Sequence, residues 1–169
     1  FWGTDDFNFT LKNKIGKRIK KERAEEEYKK ISVYLTKKGY KHAYTGSLRR
    51  KKSTVGDIDI IVKSTKEKIY KDVLDYRDVK EKIDDDGNFL LKGNIPLQII
   101  AETDEYEYSL WTSTGNKRYI KIMQNILKEK EVKNYIYICS EEKIYEKLGY
   151  KYLDPQKRDN LRASKIKKG

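Results

Sequence analysis

The sequence predicts an α+β fold, a mixed or antiparallel sheet with helices on one face followed by a small C-terminal α/β portion. Three observations lead there. Residues 11–38 are nearly continuous in helix formers, short segments of strand character separated by turns follow as far as Thr103, and beyond it the composition turns aromatic and basic. A chain of 169 residues buries roughly 70% of the surface its unfolded form exposes, enough for one core with a small second lobe.

Each element has a local reason. In "LKNKIGKRIKKERAEEEYKKISVYLTKK" the apolar residues Ile15, Ile19, Tyr28, Ile31, Val33 and Leu35 fit helical spacing, predicting one amphipathic helix or two joined near Glu22. Gly39 follows where helices commonly end on a left-handed residue. Strands are expected at "HAYTG", "DIDIIV", "RDVKEKI", "NFLLKG" and "LQIIAE", with a helical piece from Lys66 to Val73 and a hairpin tip at "DDDGN", Asp84 to Asn88. That tip lacks the later glutamate of a calcium loop.

After Thr103 the pattern predicts a helix from about Lys117 to Lys130 and a strand around Tyr135 to Cys139 that buries the cysteine. A further helix is N-capped by Ser140, with Glu141 and Glu142 in its first turn. Residues 161–169 read as a frayed basic tail. No repeat or low-complexity linker separates residues 1–103 from 104–160, so the two portions should pack directly on one another.

Lys and Arg outnumber Asp and Glu by 39 to 27, a formal net charge of +12. The surplus favours a polyanionic partner, and nucleic acid is the commonest one; a merely solvated basic surface is the bland alternative. One cysteine excludes an internal disulfide and suits a reducing compartment. No apolar run approaches the ~20 residues of a membrane span. A soluble, intracellular monomer is expected, cytoplasmic or viral with the nucleus also open. The single histidine, His42, reads as structural.

Chemistry concentrates in "TGSLRRKKSTVGDIDIIV", Thr45 to Val62. Residues i and i+2 of a strand point the same way, roughly 6.6 Å apart. Asp57 and Asp59 therefore project together, while Ile58, Ile60 and Val62 take the opposite, buried face. Two like charges so placed repel unless a cation lies between them. A hard divalent ion, Mg²⁺ or Mn²⁺, satisfies that need, and phosphoryl-transfer sites use two such ions. Upstream, Gly46 permits close approach of backbone to ligand, Ser47 begins a turn whose N–H groups can hold phosphate oxygens, and Arg49 and Arg50 add planar forks suited to phosphate.

The order Gly-Ser-x-Arg-Arg, a short polar stretch, then Gly-Asp-x-Asp and aliphatics closely resembles the palm signature of family X, the beta-type repair DNA polymerases of the nucleotidyltransferase superfamily. Upstream "GKRIKKERAEE", the turn "STGN" from Ser113 to Asn116, and the ending "SEEKIYEKLGYKYLDPQKRDN" with Tyr152, Pro155 and Arg158 are similar to further family motifs. The extent is like that of minimal viral members without a lyase domain.

The resemblance implies a palm over residues 1–103, a nucleotide- and DNA-binding subdomain over 104–160 and a basic tail over 161–169. It implies that Asp57 and Asp59 bind two Mg²⁺ or Mn²⁺ ions. Ser47 and Arg50 would bind the triphosphate with help from Arg18, and Gly46 and Gly56 would allow close contact. The turn of Thr112, Ser113, Thr114, Gly115 and Asn116 would lie beside the incoming nucleotide. The implied reaction is nucleotide transfer from a (d)NTP to a primer 3′-hydroxyl at short DNA gaps. DNA phosphates would be met by Lys51 and Lys52 beside the motif and by Lys117, Arg118 and Lys121 on the following helix.

The sequence departs from the family at two positions. The place of the third family carboxylate falls on Gln98, which accepts a hydrogen bond but is no base, so the catalytic metal site is weakened. Three explanations stand: an enzyme that tolerates two carboxylates, a substitution made to trap a complex, or a binding protein that kept the fold. Glu102, further along the same strand, is a distant stand-in. The aromatic pair preceding Thr-Gly in many members is replaced by Thr112 and Ser113, which predicts weak discrimination between deoxyribo- and ribonucleotides. The shared Gly-Ser and Asp-x-Asp core also leaves open a template-independent or RNA-directed nucleotidyltransferase.

Overall fold

The computed structural model describes residues 18–158. The parts of the predicted first helix before Arg18, the end of the C-terminal signature and the basic tail lie outside the described residues. The chain runs through β1 (Ile19–Lys20), α1 (Lys21–Lys37), β2 (His42–Thr45), α2 (Gly46–Arg49), β3 (Thr54–Val55) and β4 (Ile58–Lys63). It continues through α3 (Lys66–Leu74), β5 (Val79–Lys82), β6 (Asn88–Leu91), β7 (Ile95–Glu102), α4 (Tyr106–Thr114), α5 (Lys117–Glu129) and α6 (Glu141–Leu148).

The main sheet is five-stranded and mixed, in the order β2-β4-β7-β6-β5. Only β4 and β7 run parallel. The fold is thus α+β, as the alternation of strands and turns predicts. β1 and β3 form a separate antiparallel pair, so Ile19 and Lys20, expected inside a helix, are extended and α1 begins only at Lys21. Pairing with Thr54 and Val55 overrides the local helix propensity there. At the other end, Gly39 takes φ +86° and its N–H reaches back to Thr36 O, the glycine-terminated end expected.

Alternation along the strands divides the sheet into two faces. On the first, Ile58, Ile60 and Val62 of β4, Phe89 and Leu91 of β6 and Leu97 and Ile99 of β7 pack against Ala24, Ile31 and Leu35 of α1 and Ile69 and Val73 of α3. Ile60 is fully buried at the centre, and truncating such a side chain costs about 2–5 kcal/mol. On the second face, Ile61 packs with Tyr106 and Leu110 of α4. Helices therefore cover both faces, not one: the apolar residues Ile61 and Ile100 need a cover of their own, and α4 supplies it over one end of the sheet.

A further cluster is built from Trp111 of α4, Tyr119, Met123 and Leu127 of α5, and Ile144, Tyr145 and Leu148 of α6. The expected strand at Tyr135 to Cys139 is instead a single 3₁₀ turn, Tyr135–Tyr137. No neighbouring strand is there to pair it, and the stacking of Tyr135 on Tyr108 together with burial of Ile138 anchors the turn. Cys139 is consequently exposed. Ser140 does cap α6, accepting from the Lys143 N–H. Among the described residues no helix is long and apolar enough to cross a membrane.

Candidate functional site

The second face of the sheet carries a row of buried polar side chains where the surrounding positions are aliphatic. Thr45 pairs with Asp59, Asp59 with Gln98, and Gln98 with Asn88 across four adjacent strands. All four are buried. Burying polar groups is costly unless they are satisfied, so each partner matters. Thr45 Oγ1 lies 2.7 Å from Ser113 Oγ and 3.2 Å from Thr114 Oγ1. Asn88 Nδ2 donates to Asp84 Oδ2 at 2.8 Å. Asp59 Oδ1 alone is buried with no hydrogen-bond partner among the described residues.

Asp57 lies just before β4, two residues from Asp59 on the same side of the chain. Both line a cleft of about 450 Å³. Burial and then the neighbouring Asp57 carboxylate push the Asp59 carboxyl well above its usual range, with Arg50 pulling weakly the other way. Gly46 makes the arrangement possible: it has φ +64°, and a Cβ there would stand 2.1 Å from Asp59 Oδ2. Only glycine admits both the left-handed backbone and the approach.

The same cleft gathers most of the residues expected for nucleotide binding. Ser47 and Arg50 line one side, with Gly56 beside Asp57; Thr112, Ser113, Gly115 and Asn116 line the other, and Arg18 stands at the margin. Arg18 is held by Thr54, its Nε donating to Oγ1 at 3.0 Å and its Nη2 to the backbone carbonyl at 3.1 Å. Arg50 Nη1 donates to Thr114 O at 2.6 Å. Asn116 caps α5, its Oδ1 accepting from the Tyr119 N–H at 3.0 Å, so part of its side chain is committed to the helix. Thr114 is fully buried; its side chain belongs to the packing behind the cleft, and only its carbonyl meets Arg50. Trp111 likewise points away, into the cluster around Tyr145, leaving two small hydroxyl residues, Thr112 and Ser113, on the cleft wall.

Of the basic residues expected at DNA, Lys117 and Arg118 reach the cleft. Lys51, Lys52 and Lys121 are exposed elsewhere on the surface. Arg49, paired with Arg50 in the sequence as a phosphate ligand, has another task. It makes a bidentate pair with Glu141, both contacts at 2.7 Å, and also donates to Thr114 Oγ1 at 2.7 Å. Adjacent residues on one helical turn face about 100° apart, so α2 can send Arg50 to the cleft and Arg49 to Glu141 of α6. Arg158 donates to the same carboxylate at 3.2 and 3.3 Å and sits over the rings of Tyr145 and Tyr152. This buried Arg49–Glu141–Arg158 group ties α2 to α6 beside the cleft. Glu141 reads in the sequence only as a first-turn acid, because neither arginine is near it in the chain.

Asp57 and Asp59 fit a divalent cation by their donor chemistry: two hard carboxylates, one oxygen buried and unsatisfied, and mutual repulsion that a cation would relieve. Among the described residues no cluster of three or more His, Cys, Asp or Glu offers a fuller ligand set. Gln98 occupies the neighbouring register position. Glu102 is engaged elsewhere, accepting from Ser109 Oγ at 2.7 Å and the Glu105 N–H at 3.3 Å, so it does not serve as a third carboxylate.

No protein-family model matches the chain, and no curated protein matches it.

Proposed function

We propose that the protein is a nucleotidyltransferase of the beta-type DNA polymerase kind, adding a nucleotide to a primer 3′-hydroxyl at short gaps. The observation that carries this reading is the buried, unpartnered Asp59 Oδ1 beside Asp57, in a cleft whose margins hold Ser47, Arg50 and Arg18. Carboxylates beside cations and a hydroxyl match the opposed needs of metal ions and a triphosphate.

In this reading Asp57 and Asp59 hold Mg²⁺ or Mn²⁺. Bound there, the ion would neutralise phosphate charge and lower the pKa of the acceptor hydroxyl. Arg50 and Arg18, each fixed by a backbone carbonyl, orient the phosphates, and Ser47 donates to them. Thr112 and Ser113 face the sugar. The acceptor oxygen bonds to the α-phosphorus as the bond to the bridging oxygen breaks, and pyrophosphate leaves with that electron pair. Gln98 takes up no proton, so the hydroxyl proton passes to water. The chain's own contribution is mostly positioning and charge complementarity.

Gln98 itself favours a second reading, a DNA-gap or nucleotide-binding module of the same fold that does not turn over. Extension of a labelled primer opposite a one-nucleotide gap, with Mg²⁺ or Mn²⁺, separates the two. The expected result is extension by the native chain that Asp57→Asn and Asp59→Asn abolish. Metal-dependent nucleotide binding without extension would select the module, and neither binding nor extension would remove both readings.

A further inference from the structure

A second cavity, of about 500 Å³, adjoins the cleft and shares Arg18 with it. It is lined by the cations Arg18, Lys20 and Arg23, by Ile19 and Ile95, and by the turn Gly93–Asn94. No acidic residue is among the described residues that line it. Resting on the nucleotidyltransferase reading, we propose that this cavity holds the phosphodiester backbone of a nucleic-acid strand leading away from the cleft.

Three features make it a phosphate site and not simply a basic surface. First, the cations are placed by structure and not by helix solvation: pairing of Ile19 with Val55 and Lys20 with Thr54 holds this stretch extended against β3, and Arg18 is tied to Thr54 beside it. Without that strand, Arg18 and Lys20 would follow a helical spiral and diverge. Second, the turn is shaped to leave room. Gly93 has φ +84°, and a Cβ there would lie 3.3 Å from Arg23 Nη2, so a bare backbone stands against that guanidinium. Asn94 is also left-handed, at φ +60°, and its Oδ1 accepts from Lys80 Nζ at 3.0 Å, which brings a further ammonium to the rim. Third, the neutralising contacts are incomplete: among the described residues Arg23 meets an acid only at Glu27, through one 3.4 Å contact to an oxygen that Lys30 shares, and its side chain stays half exposed.

A nucleotide and its phosphates are matched in size by the first cleft alone, since pockets for such ligands span roughly 300–1,000 Å³. A neighbouring cavity of similar volume remains once the cleft is filled. Because Arg18 belongs to both, a strand following the cations would run from the reacting centre past Lys20 and Arg23 toward the Gly93–Asn94 turn. Backbone recognition of this type is independent of sequence and strongly salt-dependent.

The test is fluorescence anisotropy of a labelled one-nucleotide-gap duplex over a salt series, alongside titration with Mn²⁺ and ATP. It compares the native chain with Lys20→Gln/Arg23→Gln and with a control of equal charge loss, Lys29→Gln/Lys37→Gln, on exposed positions of α1 away from the cavity. The expected result is about tenfold weaker duplex binding by the first variant, and a log K against log salt slope shallower by about 1.8, two phosphates at roughly 0.9 each. ATP binding and the control should match the native chain. Equal losses in the control would overturn the proposal by assigning the effect to net charge. A parallel loss of ATP affinity would overturn it by assigning Lys20 and Arg23 to the triphosphate, and unchanged duplex binding would overturn it outright. If the duplex arm behaves as expected while the native chain extends no primer, the strand site stands and the enzyme reading falls.

Discussion

Gln98 lies directly beside Asp59, its register partner on the parallel strand β7 and on the same face of the sheet. The amide there lines a separate cavity with Tyr70 and Asp86, and at that register position it adds no further negative charge beside Asp59, whose carboxyl is already pushed up by burial and by Asp57. Gln98→Asp therefore has two opposed consequences. In chelator the variant should be less stable than the native chain by about 2 kcal/mol, the cost of a further buried charge left unpaired. With Mn²⁺ present the difference should shrink or reverse, since an ion bound only to the folded state stabilises it by mass action. Primer extension should rise by at least about a hundredfold, the low end of what a general base supplies. Denaturant melts with and without metal read the first effect and single-turnover extension the second. Equal stability in both buffers would show that position 98 does not face the metal ligands.

Glu141 of α6 is bound by two arginines, Arg49 of α2 and Arg158. Burial alone would raise its carboxyl, but hydrogen bonds from Arg49 and the charge of Arg158 outweigh that and hold it below its usual value of 4.5. A carboxyl lowered in the folded state contributes stability that is complete above its unfolded value and is lost as pH falls through the folded one. The native chain should thus lose this contribution below about pH 4.5, whereas Glu141→Gln should show a flatter stability profile there. At neutral pH, Glu141→Ala should cost about 3–5 kcal/mol, because it strands the fully buried Arg158 and the partly buried Arg49 without a counter-charge. Thermal melts over a pH series check both.

Gly46 and Gly39 both sit at positive φ but differ in what surrounds them. A Cβ at Gly39 meets nothing within 4 Å, while one at Gly46 collides with Asp59. Gly39→Ala should cost only about 1–2 kcal/mol of backbone strain and leave nucleotide binding intact. Gly46→Ala should abolish Mn²⁺-dependent ATP binding, measured by calorimetry. Retained binding in that variant would show that Asp59 is not the ligand.

Thr112 and Ser113 present small side chains to the cleft while Trp111 is drawn into the core, and in the nucleotidyltransferase reading they face the sugar. The ratio of dATP to ATP incorporation should stay below about a thousandfold, some 4 kcal/mol. Ser113→Phe should raise the ratio by crowding the 2′-hydroxyl. A native ratio above that limit would mean another group fills the space.

Much of the architecture was legible in local pattern. The period-2 alternation of "DIDIIV" placed Asp59 opposite Ile58 and Ile60, the "DDDGN" turn closed a hairpin between β5 and β6, and Ser140 capped α6. Each of these depends on residues within a few positions of one another. The misread places depend on partners far away in the chain. Ile19 and Lys20 left the helix because Thr54 and Val55 offered a strand. Tyr135–Tyr137 became a 3₁₀ turn because no strand lay beside it, which exposed Cys139.

The candidate site divides along the same line. Local pattern alone places two carboxylates on one side of a strand, puts Gly46, Ser47 and Arg50 before them, and sets a glutamine within a later strand, because backbone periodicity sets side-chain direction. Which of the two adjacent arginines faces the cleft depends on long-range packing, since Glu141 arrives from 92 residues away. The tertiary structure also decided that Gln98 is the neighbour of Asp59 and that Thr114 lies behind the wall of the cleft. It brought Lys20 and Arg23 together opposite Gly93 as well. Those relations are set by strand register and by burial of charge against its counter-charge, and neither is encoded in any short stretch of chain.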